Sequence, residues 1–176
     1  MKVFVFKILL SVILIIPFSG CKKNHLLSEK QLVLFQFDYM GDRHSGFIID
    51  NDGNILAYSN PEGWNFPDTD MSLTEKQVNE NIEKCVFTGK KIPSDELRKY
   101  AVHIPNISMS KVTAARNTGA NIGTIQFLCY QYSESTETYK ISIIRTEGDF
   151  TSENLNFYSK KVIAWIRGIN NNLTNK

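Results

Sequence analysis

The sequence of 176 residues has few of the residue types that carry metal binding or nucleophilic catalysis. It contains three cysteines and three histidines, and no two cysteines form a CxxC motif. HExxH, GxSxG, Walker-type and dinucleotide-binding glycine motifs are also missing. Without a Cys/His cluster, a zinc site of the usual spacing and a thioredoxin-like redox pair are excluded. We therefore expect no metal and no cofactor.

The sequence also lacks an apolar run long enough to cross a membrane. The run at residues 8–18 is far shorter than the ~20 residues of a spanning helix, and Lys7 separates it from the apolar residues before it. Lys2 and Lys7 precede this run, and the small residues Ser19 and Gly20 follow it. This order is typical of a secretory signal peptide. We predict that residues 1–20 are a signal peptide.

Ser19-Gly20-Cys21 resembles the lipobox of bacterial lipoproteins, with Phe18 in place of the usual leucine. The resemblance implies that Cys21 is lipidated, becomes the first mature residue and anchors the protein in the cell membrane or outer membrane. Lys22 and Lys23 follow, without the acidic residues that often mark surface-exported lipoproteins, so the resemblance favours a periplasm-facing protein. The richness in Lys, Asn and Phe is similar to that of small lipoproteins of Bacteroidota-like bacteria. The alternative is a secreted protein whose Cys21 is an unmodified thiol.

The net charge of +2 disappears with the signal peptide. Lys2 and Lys7 lie in that segment, which has no acidic residue, so 18 basic and 18 acidic side chains remain. A neutral domain without a basic run has no electrostatic footprint for nucleic acid. We therefore expect no nucleic-acid partner.

The remaining chain is predicted to be one globular domain on a short tether. Residues 21–30 are predicted to contain the lipidated cysteine and a polar tether, and residues 31–176 are long enough for a single core. A hydrophobic content of 42% argues against disorder.

Strands are predicted both before and after two central helices. The first strand covers residues 32–39, and Asn51-Asp52-Gly53 is predicted to join two further strands in a hairpin. The next clear strand pair covers residues 124–132 and 138–144. An order without regular βαβ alternation predicts the α+β class with a mainly antiparallel sheet.

Three helices are predicted from their caps and apolar spacing. The first starts in a capping box at Ser72 and Glu75, and it ends before Gly89. The second is capped by Ser94 and stopped by Pro105. The last is capped by Thr151 or Ser152, runs to about residue 170, and is predicted to pack on the sheet.

Two cysteines of the mature chain leave two alternatives open. Cys85 and Cys129 could form a disulfide, because an exported protein folds where oxidation is permitted. They could equally be two buried thiols, since each lies among apolar residues at a regular spacing.

Two loops hold the candidate functional residues. Trp64 and Phe66 lie in a loop rich in Pro and Gly, and they form either an exposed interaction tip or a lid over one end of the core. Asp42, Arg43, His44 and Ser45 form the only local gathering of reactive side chains. A solvated strand connection is the favoured interpretation of these four residues, because adjacent residues do not form a triad.

Three hypotheses about function follow. The first is a non-catalytic, lipid-anchored binding or interaction module of the cell envelope, with the membrane and a protein as partners. The second is a narrower form of the first, an immunity-type lipoprotein that binds a toxin. The third is an envelope hydrolase that uses the loop at residues 42–45 with a carboxylate from elsewhere in the chain.

Overall fold

The computed structural model describes residues 27–175. They form nine strands and four helices: β1 (Val33–Met40), β2 (His44–Asp50), β3 (Asn54–Ser59), β4 (Ser72–Thr74), α1 (Glu75–Glu83), β5 (Val86–Lys91), α2 (Ser94–Ala101), α3 (Ile104–Ser108), β6 (Arg116–Asn117), β7 (Thr124–Ser133), β8 (Thr138–Gly148), β9 (Phe150–Glu153) and α4 (Ser159–Thr174). None of the helices between Leu27 and Asn175 combines the length and the apolar character that crossing a membrane requires.

All strand pairs of the sheet are antiparallel. The order is β5-β3-β2-β1-β7-β8-β9-β6, and β4 pairs with the beginning of β8. The long pairs are β1 with β2, β1 with β7, and β7 with β8. The predicted α+β class, the mainly antiparallel sheet and the C-terminal helix packed on it are confirmed.

The sheet is covered on both faces, so the domain has two apolar layers. Successive side chains of a strand point to opposite faces, and residues 33–38 of β1 are all buried. We call the two faces A and B. On face A, the core includes Phe35, Phe37 and Phe127 from the strands, together with apolar residues of α2, α3 and α4. On face B, Ile48, Leu128 and Tyr139 pack against α1 and the loop before it.

The predicted hairpin between β2 and β3 is confirmed. Gly53 has a φ of +85°, a conformation that glycine adopts without steric cost. The Asp50 carboxylate closes the turn by accepting from the backbone N–H groups of Asp52 and Asn54, at 3.0 and 2.7 Å. The turn chemistry therefore determines the register of these two strands.

The capping box of α1 lies two residues later in the chain than predicted. Ser72 lies in β4, whose backbone pairs with β8, so it cannot cap a helix. Thr74 caps α1 instead, and its side chain and that of Gln77 bond reciprocally to the backbone of the other residue. Val86, which falls within the predicted extent of the same helix, lies in β5.

Two further helix boundaries differ from the prediction. Pro93 occupies the N-cap position of α2 without a side-chain cap, while Ser94 is already helical. Pro105 does not end the helical region but lies in the first turn of α3, where its missing N–H has no helical partner to lose.

The C-terminal helix begins several residues later than predicted. Phe150–Glu153 forms β9, in which Ser152 pairs with Thr146 of β8. The helix α4 starts at Ser159 and buries Val162, Ile163 and Ile166 against face A. The sheet therefore takes over the segment that local patterning assigned to the first turns of the helix.

Cys85 and Cys129 are free thiols, so the disulfide that was one of two alternatives is not formed. Cys129 is buried on face A, whereas Cys85 packs with the residues of face B. The sheet separates them. Burial raises the pKa of each thiol to about 12, so both remain protonated at neutral pH.

The contacts of the domain begin upstream of the predicted boundary at residue 31. Leu27 packs against the core of face A, and Ser28 donates a hydrogen bond of 2.6 Å to Glu134. The carbonyl of Lys30 accepts from Tyr139 at 3.2 Å. The signal peptide and Cys21 lie outside the described residues.

Candidate functional site

Buried polar side chains gather on face B, near the end of the sheet where β1 stops and β2 starts. Gln36 and Asp38 occupy alternate positions of β1 and are only 3% and 4% exposed. A buried carboxylate is costly unless hydrogen bonds satisfy it. The neighbouring strands supply the donors.

Asp38 Oδ1 is the centre of the network. It accepts a hydrogen bond from the Tyr58 hydroxyl, lies 2.8 Å from His44 Nε2, and accepts from Gln36 Nε2 at 3.3 Å. Gln36 Nε2 also donates to the Tyr58 hydroxyl at 2.7 Å, and its Oε1 accepts from the Tyr130 hydroxyl. The network thus joins β1, β2, β3 and β7.

Both tyrosines of the network hold their protons. Burial, followed by the charge of Asp38, raises the pKa of Tyr58 well above its usual value of 10. The same two causes, in the same order, raise the pKa of Tyr130. At neutral pH each hydroxyl is therefore a donor, which fits the acceptors that it faces.

Gly46 makes this arrangement sterically possible. It lies in β2 directly between Asp38 and Tyr58, pairing with each across the sheet. A Cβ at this position would lie 2.5 Å from the Tyr58 hydroxyl oxygen and would also collide with the Phe37 carbonyl. Tyr58 can reach over β2 to Asp38 because position 46 has no side chain.

Aromatic rings cover the outer side of His44. The Trp64 ring lies 4.4 Å from that of Tyr58 and 5.4 Å from that of His44, measured between centroids. The Phe66 ring lies 5.2 Å from His44 and is 53% exposed. Trp64 therefore folds back over the core of face B, while Phe66 presents much of its surface to solvent.

Asparagine side chains hold this aromatic loop on α1. Asn81, which is buried, accepts from the Asn65 backbone N–H and donates to the Asn65 carbonyl, both at 2.8 Å. Asn65 Nδ2 also donates to the carbonyl of Gln77. Trp64 and Phe66, on either side of Asn65, are thus positioned by a helix.

The four candidate residues of the β1–β2 connection do not converge. Asp42 and Arg43 are exposed and lie 3.7 Å apart, forming a surface ion pair. Only His44 turns toward the network. Ser45, the next residue of β2, points to the opposite face, since side chains alternate along a strand.

A groove lies beside this end of the sheet. Its volume is about 660 Å³, and its walls include Tyr39, Asp42, Arg43, His44, Ile122 and Asp149. Asp149 holds the far wall in place, because its carboxylate accepts from the backbone N–H groups of Ile122 and Gly123 at 2.7 and 3.1 Å. His44 lines this groove and also contacts Trp64 and Phe66. We call the groove and these two aromatic residues together the distal site, because they lie at the end of β1 that is farther from Leu27.

The distal site contains part of an acid–base arrangement. His44 and Asp38 form a dyad of the kind that orients a general base. Among residues 27–175, however, no serine, threonine or cysteine side chain is hydrogen-bonded to His44, and no three potential metal-ligating side chains converge. The exposed ring of Phe66 and the polar groups of the groove can recognise a ligand by ring faces and hydrogen bonds.

Sequence reasoning identified His44, Trp64 and Phe66 but missed Asp38, Gln36, Tyr58 and Tyr130. A signal was present, because Gln36 and Asp38 stand at alternate positions within an otherwise apolar strand. Polar residues in such a strand must have buried partners.

No family model, no curated protein and no solved structure matches this chain.

Proposed function

We propose that this protein is a non-catalytic binding module of the cell envelope. Cys21 anchors it by lipid to a membrane, and the distal site is turned away from that membrane to bind a protein partner. The observation that carries the proposal is the aromatic surface at Phe66 and Trp64, held rigidly over the His44–Asp38 dyad.

The composition of the distal site supports a protein partner. Trp64 is partly exposed and Phe66 is half-exposed, and Arg43, next to His44 in the chain, is also exposed. Aromatic residues and arginine are enriched at the centres of protein interfaces, because they bury large surfaces at a low entropy cost. The His44–Asp38 dyad is a polar group at the base of this aromatic surface.

The position of the distal site supports its separation from the membrane. The described chain begins at Leu27, near the start of β1, and His44 pairs with Met40 at the other end of that strand. Eight residues of strand span about 26 Å. Cys21 is only six residues before Leu27, so the acyl chains would lie within ~20 Å of Leu27. Leu27 is at the end of the sheet opposite to the distal site.

Removing the anchor tests the first half of the proposal. In a detergent phase partition of the full chain expressed in a bacterial host, we expect the native protein in the detergent phase. The Cys21→Ser variant should move to the aqueous phase, because it lacks the thiol that carries the acyl chains. Equal partition of the two proteins into either phase would contradict lipid anchoring.

Photo-crosslinking tests the second half. A benzoylphenylalanine at position 66 of the full chain, irradiated in intact cells, should give one discrete product of higher mass. Position 87 in β5 is the matched control, since Phe87 is also 53% exposed. Trp64→Ala in the same chain should reduce the product. Equal products at positions 66 and 87, or none at 66, would show that the distal site is not the contact surface.

A further inference from the structure

A second exposed apolar surface lies between α3 and the start of α4, and none of its residues lines the distal site. Met109, Leu155 and Phe157 are 77%, 65% and 78% exposed, and Val112 beside them is 38% exposed. We call these four residues the Phe157 patch. Large apolar side chains clustered at this exposure mark a contact surface.

Backbone contacts hold the two segments of the patch together. The N–H of Leu155 donates to the Lys111 carbonyl at 2.9 Å, and Val112 forms a bridge with Asn154. Asn156 Nδ2 donates to the Asn106 carbonyl and to Ser110 Oγ, at 3.2 and 3.1 Å. The apolar side chains are therefore displayed by a fixed framework.

Three lysines adjoin the residues of the patch in the chain. Lys111 and Lys160 are exposed, and Lys161 Nζ lies 5.8 Å from the centre of the Phe157 ring. The nearest carboxylate along β9, that of Glu153, is paired with Arg145 at 3.0 Å. A surface that combines exposed Phe and Leu with neighbouring lysines is typical of proteins that lie in the interface of an anionic bilayer.

The chain enters the domain close to this patch. Leu27 and Ser28 line the same small cavity as Pro105 of α3, and α3 leads directly into Met109. Five residues of helix span only about 8 Å. From Leu27, the six residues back to Cys21 reach at most ~20 Å. A lipid on Cys21 would therefore hold the Phe157 patch within reach of the membrane surface.

We propose that the Phe157 patch is a membrane-contact surface, which lies on anionic lipid headgroups with Phe157, Leu155 and Met109 inserted and the lysines around them. The argument from the tether rests on the proposed lipid anchor. The contact itself does not need the anchor, because it depends only on the composition of the surface. It would restrict the orientation of the domain on the bilayer.

Vesicle sedimentation of the polypeptide 22–176, which lacks the lipid but keeps every residue of the described domain, tests the proposal. We expect binding to phosphatidylglycerol vesicles at low salt and at least about tenfold weaker binding to phosphatidylcholine vesicles. Raising the salt concentration should weaken the first interaction, since screening acts on exposed charges.

Two variants locate the contact. Leu155→Ser with Phe157→Ser removes the inserted side chains, and Lys160→Glu with Lys161→Glu reverses the charge; each pair should weaken binding to phosphatidylglycerol by about tenfold or more. Phe66→Ser is the matched control and should bind like the native sequence. All five positions are exposed, so each variant should melt like the native domain.

Absence of binding to phosphatidylglycerol vesicles, or an equal loss with Phe66→Ser, would overturn the proposal. So would native binding by either double variant. Because the polypeptide carries no lipid, these results are independent of the detergent partition of the full chain. A failure here leaves the anchor at Cys21 and the distal site intact.

Discussion

Asp38→Ala should lower the free energy of unfolding by about 3–5 kcal/mol, the usual cost of removing one partner from a buried charged cluster. The substitution leaves three donors without their shared acceptor: the Tyr58 hydroxyl, His44 and Gln36 Nε2. Tyr58 and Gln36 are buried, so neither can recover a partner from water without opening face B. With a total stability of ~5–15 kcal/mol for a domain, the loss is a large fraction.

Urea denaturation of the polypeptide 22–176 measures this loss. Asp42→Ala is the matched control, because Asp42 is only four residues away and its side chain is 72% exposed. It should change the stability by less than about 0.5 kcal/mol. Asp38→Asn should fall between the two, since an amide oxygen still accepts. Equal denaturation midpoints for Asp38→Ala and Asp42→Ala would show that the network contributes nothing to stability.

Trp165→Ala should be the second large perturbation, with a cost of about 3 kcal/mol, at the lower end of the range for aromatic deletions because the ring is partly exposed. Trp165 stacks on Tyr100 at 4.3 Å and meets Phe35 edge-on at 5.3 Å. Its Nε1 donates to Glu96 at 2.7 Å. The side chain therefore joins α4 to both α2 and the central strand.

Thermal melts check this expectation. A loss of 3 kcal/mol corresponds to a fall in Tm of roughly 6–12 °C for a domain of this size. Phe157→Ala, just before the same helix and 78% exposed, should leave the Tm nearly unchanged. A shift for Trp165→Ala no larger than that for Phe157→Ala would mean that α4 is not held to the sheet by this contact.

Local signals were sufficient for much of the sheet. The Asp52-Gly53 turn, the alternation in β8 and the apolar β1 each depend on residues that are neighbours in sequence, and all three elements form as predicted. Helix ends were predicted less well. At Ser72 and Ser152 the backbone pairs with β8, and this pairing with a distant strand overrides the local preference for a helix cap.

Only some residues of the distal site were identified from the sequence. His44 and the aromatic pair at positions 64 and 66 stood out by residue type, but the carboxylate that meets His44 is Asp38, on the preceding strand, and not its neighbour Asp42. The two aromatics reach His44 because Asn65 is bound to α1. Neither contact has a signature in the spacing of residues.

The sequence by itself determined the compartment prediction, the fold class and the hairpin, because these depend on composition, on short motifs and on periodicity. Tertiary structure alone decided which polar groups meet in the interior, that Cys85 and Cys129 stand on opposite faces, and which apolar residues remain exposed as the Phe157 patch. The physical reason is the long-range pairing of β1 with β7, which brings residues more than 80 positions apart into register. Such pairings are selected by the packing of both faces at once, and no local pattern encodes them.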